Sequence, residues 1–301
     1  MKKLVASLAL IALILLLCLP VGCSDSASAL TPVDDWGRPI RIEAAPQRIV
    51  SLGPSITEIL FALNLDENVV GVTDYCDYPA EATSLPKVGA PFPGFDIEGI
   101  LDLEPDLVFS VEGNVVGLLE DKITTVVLQP RDLQGIYRDI ELVGQLTGTE
   151  KSAEALVSGM KQRVEAVVAK TSTITDKPTL FYEVDASMDE NSPWTVGHGT
   201  FQDDLINLAG ATNIARDGKG WYEFNIEGIL DADPDIILLE DFQFGVTPES
   251  VASRSAWANL TAVKEGRILA IQNPDLTCRQ GPRMVDGLEM LARLIHPELF
   301  E

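Results

Sequence analysis

Two hydrophobic periods alternate along this chain. Short apolar runs bounded by Gly, Pro or Asp occur at 48–53, 69–75, 106–111, 124–128, 179–184, 235–240 and 268–271. Their length and flanks predict buried strands. Between them the apolar residues fall three or four apart, as Ile56, Ile59, Leu60 and Leu63 do within 54–65, which predicts helices. The same spacing predicts helices at 117–122, 133–146, 201–208, 248–260 and 282–295, the last with Gly281 and Pro282 as cap and first turn. Strands alternating with helices argue for a parallel, doubly wound α/β sheet. One segment breaks the alternation. Over 151–170 the apolar residues Ala153, Leu156, Val157, Met160, Val164, Val167 and Val168 keep a helical period with one Gly and no Pro. Thr147 and Glu150 ahead of it read as a capping box. The pattern predicts two α/β lobes, each with a mainly parallel sheet, joined by a single long, stiff helix.

A repeat supports the two lobes. Residues 95–109 (FDIEGILDLEPDLVF) and 224–238 (FNIEGILDADPDIIL) are identical at nine of fifteen positions, 129 residues apart. Each copy reads as a short helix, a Pro-Asp turn and a buried strand. A shared building unit explains the apolar matches. It does not explain why Glu98 and Glu227 match at the exposed start of each helix. Two carboxylates, one per lobe, suit a protein that presents both to a single partner.

Composition narrows the classes. A formal net charge of −24 repels phosphate backbones and anionic lipid, so a nucleic-acid partner is not expected. The motifs G-x-S-x-G, G-x-x-x-x-G-K-[ST] and H-E-x-x-H do not occur, and two His, His198 and His296, are too few for a multi-His metal centre. No catalytic residue, metal or cofactor is expected. His198 stands in a VGHG turn and His296 at a helix C-terminus.

The chain begins with Lys2 and Lys3, an apolar run over 8–19, and then Pro20-Val21-Gly22-Cys23. This resembles a bacterial lipoprotein signal, with Pro20 where the usual pattern has Leu. The resemblance makes Cys23 the lipidated first residue, and loss of Lys2 and Lys3 shifts the charge from −24 to −26. The expected boundaries are signal peptide 1–22, tether 23–33, N-terminal lobe 34–146, hinge helix 147–171 and C-terminal lobe 172–301. Residues 30–47 read as an exposed hairpin. Cys76 and Cys278 are then left, expected as two free thiols rather than a bridge.

The loops carry aromatics: Tyr75 and Tyr78, Phe92 and Phe95, Trp194, and Trp221 with Tyr222. Strand ends beside Pro and Gly are where ligands sit in open α/β sheets. Tyr75, Phe92, Trp194 and Trp221 are therefore candidates to line a site for a large flat ligand, with Asp275 and Arg279 as polar contacts. Arg283 is expected to pair with Asp286 or another nearby carboxylate.

With DDWGRPI, QRIVSLGPSITEILFAL, VVGVTDYCDYP, both IEGIL units, TVGHGTFQDDLINLAG and RQGPRMVDGLEMLARLIHPELF in view, the chain from about Asp34 to Phe300 resembles the substrate-binding lipoproteins of ABC importers. The matching class has a rigid helical hinge and binds cobalamin, siderophores or haem, and the cobalamin-binding members match most closely. The resemblance implies a monomeric, lipid-anchored solute-binding protein outside the cell membrane, not an enzyme. It implies cobalamin as transported ligand, and an ABC permease with its ATPase as partner. Ligand roles then carry over to Tyr75, Phe92 (where those members typically have Trp), Trp194, Trp221, Asp275 and Arg279, and docking roles to Glu98 and Glu227. A ferric siderophore or haem on the same scaffold remains open. So does a lipid-anchored enzyme using Glu98 and Glu227, which separate lobes disfavour.

Overall fold

The computed structural model describes residues 31–119 and 122–300, apart from the side chain of Gln243. The signal peptide, most of the tether and Cys23 lie outside the described residues. The first lobe holds β1 (Ile49–Leu52), β2 (Val69–Val72), a small antiparallel hairpin of β3 (Gly89–Ala90) and β4 (Gly94–Phe95), β5 (Leu107–Ser110) and β6 (Thr124–Val127). Its main sheet is parallel, in the order β2-β1-β5-β6. The second lobe holds β7 (Thr179–Glu183), β8 (Trp194–Val196), β9 (Thr212–Asn213), β10 (Trp221–Glu223), β11 (Ile236–Leu239) and β12 (Ile268–Ala270). Its parallel sheet runs β12-β11-β7-β9, and β8 and β10 form a separate antiparallel ribbon. Every residue of β1, β5 and β11 is buried, as expected of parallel strands covered on both faces.

The repeat has a structural job at three positions. Asp96 and Asn225 cap the helices Ile97–Asp102 and Ile226–Ala232, accepting from the backbone N–H of Gly99 at 2.9 Å and of Gly228 at 2.8 Å. A Cβ on Gly99 would lie 2.4 Å from the Asp96 carboxylate, so the cap itself requires glycine there. The Asp of each Pro-Asp turn ties adjacent strands together. Asp106 accepts from Gln47 N–H (2.8 Å) and Arg48 N–H (3.1 Å) at the start of β1. Asp235 accepts from the N–H and hydroxyl of Thr179, both at 2.8 Å, at the start of β7. Glu98 and Glu227 take no part in this and stand exposed on the first turn.

The helix Leu133–Thr147 ends at Gly148 in the left-handed region (φ 74°), and the joining helix runs Glu150–Thr171. Its 22 residues span about 33 Å at 1.5 Å per residue. The last helix, Met284–Ile295, lies against it, with Arg163 reaching Asp286 and Glu289. One continuous core joins residues of both lobes through these helices, from Ile49 and Phe109 to Met160, Leu180 and Leu288.

Several expected boundaries are corrected. The capping box at Thr147 does not form. That residue still belongs to the preceding helix, and its hydroxyl donates to Val143 O at 2.7 Å, so Thr149 is the cap residue. The helix expected over 248–260 stops at Ala252. Beyond it the chain turns inward, because Arg254 pairs with buried Glu183 (2.6 and 2.8 Å) and Trp257 is fully buried against Phe181. The last helix starts at Met284 rather than at Pro282, since Arg283 serves as its cap residue while its side chain is drawn to the other lobe. The helix expected over 54–65 ends at Ala62, just before Asn64 at φ 60°. The strand expected over 69–75 ends at Val72, and the chain then turns so that Cys76 N–H meets Thr73 O at 3.1 Å. The N-terminal hairpin is reduced to one bridge, Val33 to Pro39. Its turn instead covers the open edge of β6, with Asp35 N–H donating to Val127 O at 3.2 Å.

Candidate functional site

Loops at the C-terminal ends of the parallel strands converge between the lobes. Tyr75 and Asp77 follow β2, Pro54 follows β1, Val111 follows β5, and Gln129 and Arg131 follow β6. From the second lobe come Trp221 on β10 and the stretch Cys278–Arg279–Gln280 beyond β12. These segments enclose two adjoining cavities. One, of about 490 Å³, is lined by Tyr75, Asp77, Val111, Cys278, Arg279 and Gln280 among others. The other, of about 660 Å³, is lined by Val111, Gln129, Arg131, Lys219, Trp221 and Gln280 among others. Val111 and Gln280 belong to both, so the two form one cleft.

Three of the expected ligand residues are therefore brought together: Tyr75, Arg279 and Trp221. Tyr75 is 56% exposed and Trp221 47% exposed, so both rings are free to be covered. Trp221 stands edge-on to buried Phe201, with ring centroids 6.0 Å apart. Trp194 lies outside both cavity linings. Strand register puts it on the same face of the ribbon as Trp221, since Glu223 pairs with Trp194 and Trp221 pairs with Val196. Phe92 is 83% exposed at the turn between β3 and β4 and is also outside the two linings. Asp275 reaches the site through Arg279, whose Nη2 it meets at 3.0 Å.

The sequence reading missed the ionic cluster at the cavity that Tyr75 lines. Glu58, on the helix Pro54–Ala62, is buried and accepts from Arg283 Nε at 2.9 Å and Nη2 at 2.6 Å. Arg279 Nη1 lies 3.3 Å from the same carboxylate and 2.7 Å from Asp77 Oδ1. The Arg283 guanidinium also stacks 3.8 Å over the Tyr78 ring. Glu58, Asp77 and Tyr78 belong to the first lobe; Asp275, Arg279 and Arg283 to the second. Arg283 thus pairs with a nearby carboxylate as expected, but across the interface, while Asp286 pairs with Arg163. The bond from Arg279 holds the Asp77 carboxyl below the usual carboxylate range. The signal available in the sequence was Glu58 itself, one carboxylate inside the run SITEILFAL.

Residues 49–274 match the periplasmic binding protein family. The chain belongs to this family. The chain is similar to the ABC transporter substrate-binding lipoprotein YvrC of Bacillus subtilis, 36% identical over 279 residues that cover 89% of this chain and 86% of that one. The vitamin B12-binding protein of Vibrio cholerae is 27% identical over 255 residues, 81% of this chain and 87% of its own. Among solved structures, BtuF of Vibrio cholerae, a periplasmic vitamin B12-binding protein, superposes with a TM-score of 0.71 at 25% identity, over 84% of this chain and 97% of its own. The periplasmic heme-binding protein RhuT of Roseiflexus sp. RS-1 superposes at 0.74 and 26% identity, over 84% of this chain and 99% of its own. The two-lobed α/β architecture is thus that of binding proteins serving ABC importers outside the cytoplasm.

The thiols are both free: Cys76 is buried with Sγ 3.0 Å from Thr73 Oγ1 and 3.1 Å from Thr57 Oγ1, and Cys278 is exposed at the cleft. His198 is exposed and faces Arg216 O at 3.2 Å, outside the two linings. His296 is the buried C-cap residue of the last helix, its Nε2 3.1 Å from Gly210 O.

Proposed function

We propose that this protein captures a corrinoid, cobalamin foremost, in the inter-lobe cleft and delivers it to an ABC permease. The observation that carries the reading is the continuous cleft with Tyr75 on one lobe and Trp221 on the other, both exposed, and Arg279 on its wall. A corrin offers broad apolar faces and a rim of neutral amides. Aromatic walls stabilise its burial by about 25 cal/mol per Å², and Arg279 with Asp275 orients the amides. Trp194, beside Trp221 on the ribbon, and Phe92 complete the wall when the ligand is in place. The boundaries in this reading are a signal peptide over 1–22, a tether over 23–33 lipidated at Cys23, lobes over 34–146 and 172–301, and a hinge over 147–171. Glu98 and Glu227 dock the permease, where two exposed charges give steering and register and the anchor raises local concentration.

Titration with cyanocobalamin tests this. Binding should quench tryptophan emission and release heat, and Trp221→Ala should weaken it by about 1–3 kcal/mol. A titration with neither quenching nor heat would sink the reading.

Tyr75 supports haem as a second reading. Its hydroxyl is on an exposed ring at the cleft, free to serve as an axial ligand. Haemin should then give a Soret shift that Tyr75→Phe abolishes.

A further inference from the structure

The two ends of the cleft differ in charge. At the Tyr75 end, Arg279 and Arg283 are shared among Glu58, Asp77 and Asp275, and Asp74 adds a further carboxylate to the wall. Carboxylates outnumber cations there. At the Trp221 end, Arg131 comes from the first lobe and Lys219 from the second. Glu112 is the one carboxylate among the described residues lining that end. Neither cation belongs to an ion pair among the described residues. The charge of Arg131 is felt at Asp35, where it favours the ionised carboxyl, and that carboxylate is already bonded to Gln129 N–H. In a chain of net charge −24, a cavity lined by two cations outside any ion pair and one carboxylate stands against the prevailing balance.

The backbone under each cation is fixed. Lys219 stands in a short ladder: Gly220 N–H donates to His198 O at 3.1 Å, His198 N–H to Gly218 O at 2.9 Å and Gly197 N–H to Gly220 O at 2.8 Å. A Cβ on Gly197 would lie 2.3 Å from Gly218 O, so the VGHG turn is what lets this loop approach. Arg131 follows Gln129, whose side chain is clamped between Trp36 Nε1 (3.0 Å) and Val111 O (2.6 Å). It precedes Asp132, which caps the next helix.

We propose that Arg131 and Lys219 form an anion subsite, one arm from each lobe, that receives a phosphodiester or carboxylate of the bound ligand. This rests on the corrinoid reading and gives it a direction. Cobalamin carries one phosphodiester on its nucleotide loop and neutral amides around the ring. Its phosphodiester lies at the Trp221 end and its amides at the Arg279 end, where the crowded carboxylates repel an anion.

Two measurements on the whole protein and on the Arg131→Ala/Lys219→Ala variant test it. The first needs no ligand. Iodide should quench the part of the emission missing from Trp221→Phe about threefold more strongly in the native protein than in the double variant, with caesium showing the opposite bias. Equal iodide quenching in both proteins overturns the subsite, whatever the ligand. In the second, the double variant should bind cyanocobalamin about tenfold more weakly at low salt, and dicyanocobinamide, which lacks the phosphodiester and nucleotide, about as well as the native protein. An equal loss for both corrinoids overturns the phosphodiester assignment. Native protein that binds haemin and neither corrinoid, with haemin weakened about tenfold in the variant, keeps the subsite for carboxylates and removes the corrinoid reading.

Discussion

Asp139 sits in the helix Leu133–Thr147 at 2% exposure, with Oδ2 unpartnered among the described residues. Burial, reinforced by the charge of Asp35, pushes its carboxyl up to about 8 from 3.8. The folded state therefore keeps a proton that the unfolded chain gives up once pH passes about 4. Stability from this group is intact below that pH and is lost as pH rises towards 8. Asp139→Asn should raise stability at pH 8 by on the order of a few kcal/mol, and the gain should vanish near pH 4. Urea midpoints at the two pH values check this, and an equal gain at both would contradict it. Residue type, position at strand ends beside Pro and Gly, and the family resemblance made Tyr75, Trp221 and Arg279 legible as site candidates. The same reasoning was blind to Arg131 and Lys219, because an exposed cation in a loop has no signature until the cavity it faces is known.

At the scale of elements, the repeat separates two kinds of identity. Asp106 and Asp235 are accounted for by strand ties, and Gly99 and Gly228 by helix caps. Gly99→Ala should cost about 1–2 kcal/mol, because its Cβ forces Asp96 off the cap. A thermal denaturation unchanged from the native protein would contradict the capping account. Glu98 and Glu227 make no such bond among the described residues, as the proposed docking role requires. Glu98→Ala with Glu227→Ala should abolish uptake in cells and leave cyanocobalamin affinity nearly unchanged. A matching fall in affinity of the purified protein would instead put them in the site. Period and flanking residues were enough to find β1, β2, β5, β6, β7, β11, β12 and the joining helix, but missed the short strands β3, β4, β8, β9 and β10. They failed over 248–260, where Arg254 and Trp257 turn inward to partners more than 70 residues away in sequence.

At the scale of the whole molecule, two joints between the lobes stand out beside the shared core. One is the helix Glu150–Thr171. The other is the ion pair of Glu58 with Arg283, assisted by Arg279. A buried pair is strongly felt when one partner is removed, because the other is left charged and desolvated. Glu58→Gln should destabilise the protein by about 3 kcal/mol and speed amide exchange along 278–283. Glu58→Leu with Arg283→Met should recover most of the stability, since an apolar pair needs no such compensation. If the double variant is no better than Glu58→Gln, the loss comes from packing rather than from the stranded charge.

The amino-acid sequence by itself determined the alternation of strands and helices, the stiff connection between the lobes and the matched carboxylates at 98 and 227. Each depends on periods, caps and turns that span a few residues, where local sterics and side-chain chemistry decide the outcome. Only the tertiary structure decided which loops meet. It set Arg279 between Asp77 and Asp275, drew Arg283 to Glu58 and brought Arg131 and Lys219 to one cavity. Apart from the local contact of Arg279 with Asp275, four residues away, these groups come from positions about 90 to more than 200 apart, and Coulomb forces act on them only after the packed cores have fixed the distances.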